Sequence, residues 1–153
     1  MMIESEGTQG PVIKLVSTFR APRDKVFRTW TDPELVKKWF FAQEGYRTTL
    51  AEIDLHPLGP WKLRVEADAS PDDPTIVYGN FLEVRHGELL TYSWTGACAR
   101  EQYWTLVTAR FSDDGAGSRI ELTHGVFFDE QDRTMHEQGW FGCIEPFGRL
   151  VEA

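Results

Sequence analysis

The sequence predicts an α+β domain in which a curved antiparallel sheet of about six to seven strands wraps one long C-terminal helix. Three observations carry this reading. One early strand runs straight into two short helical segments. The middle of the chain is a succession of strand-like runs joined by short turns, which favours antiparallel pairing. The last segment is helical in period and is the one element long enough to cover the sheet's apolar face.

Val12 to Phe19 reads as the first strand, with Ile13, Leu15, Ser17 and Phe19 on one face. Ala21-Pro22 ends it, because proline lacks a ladder donor yet suits the first turn of a helix. A short helix follows to Trp30, and Thr31-Asp32-Pro33-Glu34-Leu35 starts a second. There Asp32 is placed to cap and Pro33 to take the first helical position. That helix ends near Trp39-Phe40-Phe41, three adjacent rings that a helix cannot all turn inward.

Tyr46 to Leu55 and Trp61 to Ala67 are the next strands, and in the second Trp61, Leu63 and Val65 alternate with Lys62, Arg64 and Glu66. Ser70-Pro71-Asp72-Asp73-Pro74 reads as a loop. Thr75 to Arg85 and Glu88 to Trp94 form a pair joined at His86-Gly87. Gln102 to Phe111 and Ser118 to Val126 form a hairpin over Asp113 to Gly117. Strand phase groups Leu90 with Tyr92 and Trp94, Val107 with Ala109 and Phe111, and Ile120 with Leu122 and His124. It groups Tyr78 and Asn80 with Leu82 and Val84, which predicts all four on the inner face.

After Phe128 the pattern becomes helical, with Asp132 as the expected cap. Trp140, Ile144, Phe147 and Val151 form one apolar stripe and are expected on the concave side of the sheet. Pro146 sits inside that stripe and predicts a kink or a stop at Glu145. Length predicts a single domain over residues 12–153 after a flexible N-terminal tail over 1–11.

The formal net charge of -8 argues against nucleic acid and anionic membranes as partners, since both repel an acidic surface. The first ten residues have no signal-like apolar run, and the chain has no stretch approaching membrane-spanning length. Cys98 and Cys143 lack metal-ligand spacing, so no metal, no cofactor and no disulfide is expected, and a cytoplasmic location fits. Nucleophile elbows, paired ligand histidines and phosphate loops are missing from the sequence.

The unusual feature is aromatic: six Trp, four Tyr and ten Phe in 153 residues. Such rings fill a core, or they line a pocket in which Tyr and Trp also orient a ligand. The expected pocket lining is Trp39, Trp61, Tyr78, Asn80, Tyr92, Trp94, Tyr103, His124 and Trp140. His124 reads either as a general base or ligand donor, or as a structural histidine satisfied within the core. A pairing of His124 with His136 is conceivable, because His136 precedes Trp140 by one turn. Cys143 reads as a buried inert thiol beside that pocket.

Phe19-Arg20-Ala21-Pro22-Arg23-Asp24-Lys25-Val26-Phe27, Trp30 to Leu35 and Lys38-Trp39-Phe40 resemble the opening of one known family. Asp54-Leu55 with Gly59 and Trp61, Gly79 to Val84, Leu90 to Trp94, Leu122-Thr123-His124 and Gly139-Trp140 continue the match. The family is named after the activator of the ninety-kilodalton heat-shock protein ATPase and lies within the START, or SRPBCC, helix-grip superfamily. The resemblance spans about Val12 to Val151 and implies a helix-grip fold around a mostly hydrophobic pocket. The chain departs from the family pattern at His56 with Leu58-Gly59, at Arg85-His86-Gly87-Glu88, and at Pro146.

The leading functional expectation is binding of a small hydrophobic or aromatic molecule between sheet and helix, with a second copy of the chain as a further partner. The superfamily also contains polyketide cyclases and aromatases, so an enzyme using Tyr92 or His124 to move protons is the alternative. The family name suggests a third role in the stress response, stimulation of a heat-shock ATPase. A chaperone partner is discounted, because the chain lacks a second domain.

Overall fold

A computed structural model describes residues 1–5, 11–96 and 103–153. Among them run β1 (Met2–Ser5), β2 (Ile13–Phe19), α1 (Arg23–Thr31), α2 (Pro33–Trp39), β3 (Tyr46–Ile53), β4 (Pro60–Ala67), β5 (Ser70–Arg85), β6 (Leu89–Gly96), β7 (Thr105–Asp114), β8 (Gly117–Gly125) and α3 (Glu130–Val151). The eight strands form one antiparallel sheet in the order β1-β2-β8-β7-β6-β5-β4-β3. The expected α+β architecture, with two short helices and a long terminal one, is the observed one.

Local chemistry sets the element ends. The Asp32 side chain accepts from the Glu34 backbone N–H at 2.9 Å, and Pro33 opens α2. The chain leaves α2 at Phe40 in extended conformation and turns at Phe41, whose φ is +49°. That exit lets Trp39 and Phe40 both bury while Phe41 stays partly exposed. The cap of α3 is Asp129, which accepts from the Asp132 N–H at 2.8 Å, so the expected cap at Asp132 moves by three residues.

Pro146 neither stops nor splits α3, which continues to Val151. Proline removes the bond to the Gly142 carbonyl. Burial of Ile144, Phe147 and Val151 on both sides of it holds the helix in place. The Phe147 ring meets Phe19, Trp30 and Trp39 edge-on at 5.1–5.3 Å. Trp140, Ile144 and Phe147 are all buried, as the stripe predicted.

Three expectations are corrected. Met2–Ser5 is not a free tail: it pairs with β2 in the register Ile3↔Ser17, and Met1 packs against Gly148 of α3. Ile3 supplies apolar contact to the core, which a polar tail would not. The segment Ser70–Pro74 belongs to β5 instead of a loop. Its ladder jumps from Ala67↔Ser70 to Val65↔Thr75, so Pro71–Pro74, two of them without an N–H to donate, bulge out between two paired ends.

The third correction is the phase of β5. Val77, Gly79 and Phe81 face the core, while Tyr78, Asn80 and Leu82 are exposed. The register shifts between Phe81 and Glu83, so one extra residue flips the alternation. Val84, beyond the shift, does pack against the core. Counting back from Val84 by twos therefore lands on the wrong face.

Candidate functional site

The interior between α3 and the sheet is a continuous cluster of rings. Trp30 stacks on Trp140 at 5.7 Å with planes 8° apart. Trp94 on β6 meets Trp61 of β4 at 5.2 Å and Trp140 of α3 at 5.8 Å. Tyr92 meets Trp61 and Phe81 edge-on. Short helices bring Trp30 and Trp39, alternate strand positions bring Tyr92 and Trp94, and the α3 stripe brings Trp140.

Among the described residues, this cluster borders two small voids. The outer one, about 70 Å³, lies between the end of α2 and α3 and is lined by Phe40, Phe41, Trp94, His136, Trp140 and Cys143. The inner one, about 40 Å³, is lined by Trp30, Trp39, Trp61, Tyr92 and other apolar side chains. Phe40, Trp94 and Trp140 border both, so they form the partition between them. At roughly 10–15 Å³ per water, the outer void has room for about five waters, the size of one aromatic ring.

His124 is fully buried and its nitrogens are both engaged. The Trp140 indole N–H donates to its Nδ1 at 3.0 Å. An indole nitrogen only donates, so Nδ1 accepts and Nε2 carries the proton in the neutral ring. Nε2 lies 2.7 Å from Thr105 Oγ1, and that hydroxyl donates onward to the Trp94 carbonyl at 3.2 Å. Burial, and secondarily the nearby His136, holds the His124 pKa well below 6.5. The structural reading of this histidine is the one the geometry matches. The conceived His124–His136 pair does meet, with ring centroids 5.5 Å apart.

Burial likewise raises the Tyr92 phenol pKa, against a hydrogen bond from Trp30 that lowers it. The Cys143 thiol is pushed up to about 12 by burial, although the Phe41 N–H donates to its sulfur at 3.4 Å. Neither group is ionised at neutral pH.

The sequence-predicted lining divides accordingly. Trp39, Trp61, Tyr92, Trp94 and Trp140 border the voids. His124 sits behind Trp94 and Trp140 and borders neither. Tyr78 and Asn80 lie on the outer sheet face in an open groove with Ile76 and Lys62, for the phase reason given above. Tyr103 is half-buried against Phe128, away from both voids. Sequence reasoning missed Trp30, Phe40 and Phe81. A clue to Phe81 stood in the chain: Gly79 beside it is the position where a strand backbone makes its closest approach. Cys98 lies outside the described residues, whereas Cys143 is a free thiol.

Residues 20–152 match the model of the family described as activator of Hsp90 ATPase homolog 1-like protein. The chain belongs to this family. Solved structures share its fold. Protein CV1439 from Chromobacterium violaceum superposes with a TM-score of 0.84 at 24% identity, over 94% of this chain and 98% of that one. An AHSA1-like protein from Aeromonas hydrophila gives 0.76 at 20% identity, over 92% of each chain. CalU16 from Micromonospora echinospora gives 0.73 at 22% identity, over 99% of this chain and 87% of that one. No curated protein matches the chain. Among the described residues no helix is long and apolar enough to cross a membrane. In this member of the Hsp90-activator-like family, the helix-grip interior is packed with rings around two voids.

Proposed function

We propose that this protein binds a small aromatic or otherwise apolar molecule in the interior between the sheet and α3. One observation carries the reading: a pair of apolar voids lies between the sheet and α3, and Phe40, Trp94 and Trp140 border both. A void lining forfeits dispersion contacts, and an apolar ligand supplies them. The alternative, a proton-transfer enzyme centred on His124, is less well supported, because both nitrogens of that ring are engaged and it borders neither void.

The test is thermal unfolding in the presence of single-ring aromatics, with native mass spectrometry of freshly purified protein to find any molecule that travels with it. A ligand at 100 times its Kd stabilises by about 2.7 kcal/mol. Cys143→Leu, which fills the outer void, should abolish the shift, and the outward Arg110→Ala should leave it intact. Equal effects of the two variants, or no shift with any aromatic, would count against an interior site.

A further inference from the structure

Five indoles meet in the interior, and four have an acceptor. Trp39 donates to the Thr29 carbonyl at 2.8 Å, Trp61 to the Ser93 carbonyl at 3.1 Å, and Trp140 to His124 at 3.0 Å. Trp30 donates to the Tyr92 hydroxyl. The fifth, Trp94, is 6% exposed, and its Nε1 is buried with no hydrogen-bond partner among the described residues. A buried donor left unpaired is costly, so such a group calls for an occupant.

His136 borders the same outer void. Its Nδ1 lies 2.8 Å from the Asp132 carbonyl, which can only accept, so Nδ1 carries the proton. The neutral ring is then left with Nε2 as an acceptor, and nothing among the described residues donates to it. The Trp94 and His136 rings are 6.4 Å apart. Both side chains border the void, so an unpaired indole N–H and a ring acceptor belong to residues of the same wall. The rest of the lining is Phe40, Phe41, Trp140, Met135, Gly139 and a neutral thiol. Among the described residues no Lys or Arg side chain borders it, and the Asp132 carboxylate lies 3.7 Å from His136 Nδ1. That charge disfavours an anion.

We propose that the outer void takes a single-ring phenol whose hydroxyl oxygen accepts from Trp94 Nε1 and whose O–H donates to His136 Nε2. This deepens the interior-binding reading and rests on it. A void of about 70 Å³ matches one ring. A hydroxyl that reproduces the bonds of any water it displaces keeps their strength, whereas a methyl in the same place loses them.

The experiment compares phenol, its isostere toluene, and benzoate by calorimetric titration of the full chain at neutral pH. Phenol should bind at least as tightly as toluene, although its hydroxyl is costlier to remove from water, and about tenfold tighter than benzoate. Trp94→Phe and His136→Phe should each weaken phenol about tenfold relative to toluene. If a variant does not fold, indole ¹⁵N–¹H spectra of the unmutated protein decide: phenol should shift the Trp94 Nε1–H resonance and toluene should not. Toluene binding well ahead of phenol, with that resonance unmoved by phenol, would overturn the phenol site and leave the interior-binding reading standing. Binding of none of the three would overturn both.

Discussion

Trp140 Nε1 lies 3.0 Å from His124 Nδ1 and ties α3 to the sheet through a hydrogen bond buried on both sides. The tie continues through Thr105 to the Trp94 carbonyl, so a polar thread crosses the ring-filled interior. Trp140→Phe removes the donor and strands a buried lone pair. The expected cost is about 1–3 kcal/mol beyond the loss of ring area, read from the urea midpoint. A change below about 0.5 kcal/mol would mean the bond contributes nothing net.

The same histidine makes stability pH-dependent. His124 resists protonation in the fold but titrates near 6.5 once unfolded. Between those two values the unfolded chain holds the extra proton. The contribution is therefore complete above pH 6.5 and is lost as pH falls below it, with a slope approaching about 1.4 kcal/mol per pH unit. Denaturation between about pH 7.5 and about pH 5.5 should show that fall. In His124→Gln the curve should start lower and be flatter over the same range.

Cys143 should be inert in the native state. With a thiol pKa of about 12, about one part in ten thousand is thiolate at pH 8. In a Cys98→Ser background, iodoacetamide should leave the folded protein unmodified and add one label after unfolding. Labelling at comparable rates in both states would contradict the buried position.

Gly79 should tolerate no side chain. A Cβ there would sit 1.9 Å from the Ser93 carbonyl oxygen, the same atom that accepts from the Trp61 indole. Gly79→Ala must push β6 away and break that bond, for an expected loss of about 2–3 kcal/mol. Gly115→Ala, in the open turn at φ +59° with nothing within 4 Å, should cost only about 1 kcal/mol.

Much of this arrangement was legible in the chain because it is written locally. The Asp32-Pro33 start, the α3 stripe and the inward phases of β6, β7 and β8 each follow from residues within one element. The phase of β5 was not legible, because its inward positions include a glycine and a register shift inverts the alternation near Leu82. The interior role of Trp30 and Phe40 was hidden for another reason: helices as short as α1 and α2 carry too few turns to reveal which side is covered. The partners of His124 come from β7 and α3, distant in sequence, so its position could be read but its engagement could not.

On the side away from β1, the neighbour of β2 in the sheet is β8, with Ile13 opposite His124. During synthesis the first of these strands emerges with most of the domain still to come, and it has no partner on that side until the final hairpin is made. Closing so long a loop is slow, which places the protein among chains that fold in milliseconds to seconds. Until then the apolar row Ile13, Leu15 and Phe19 stands uncovered, and β2 is where a stalled or truncated nascent chain would first stick to its neighbours.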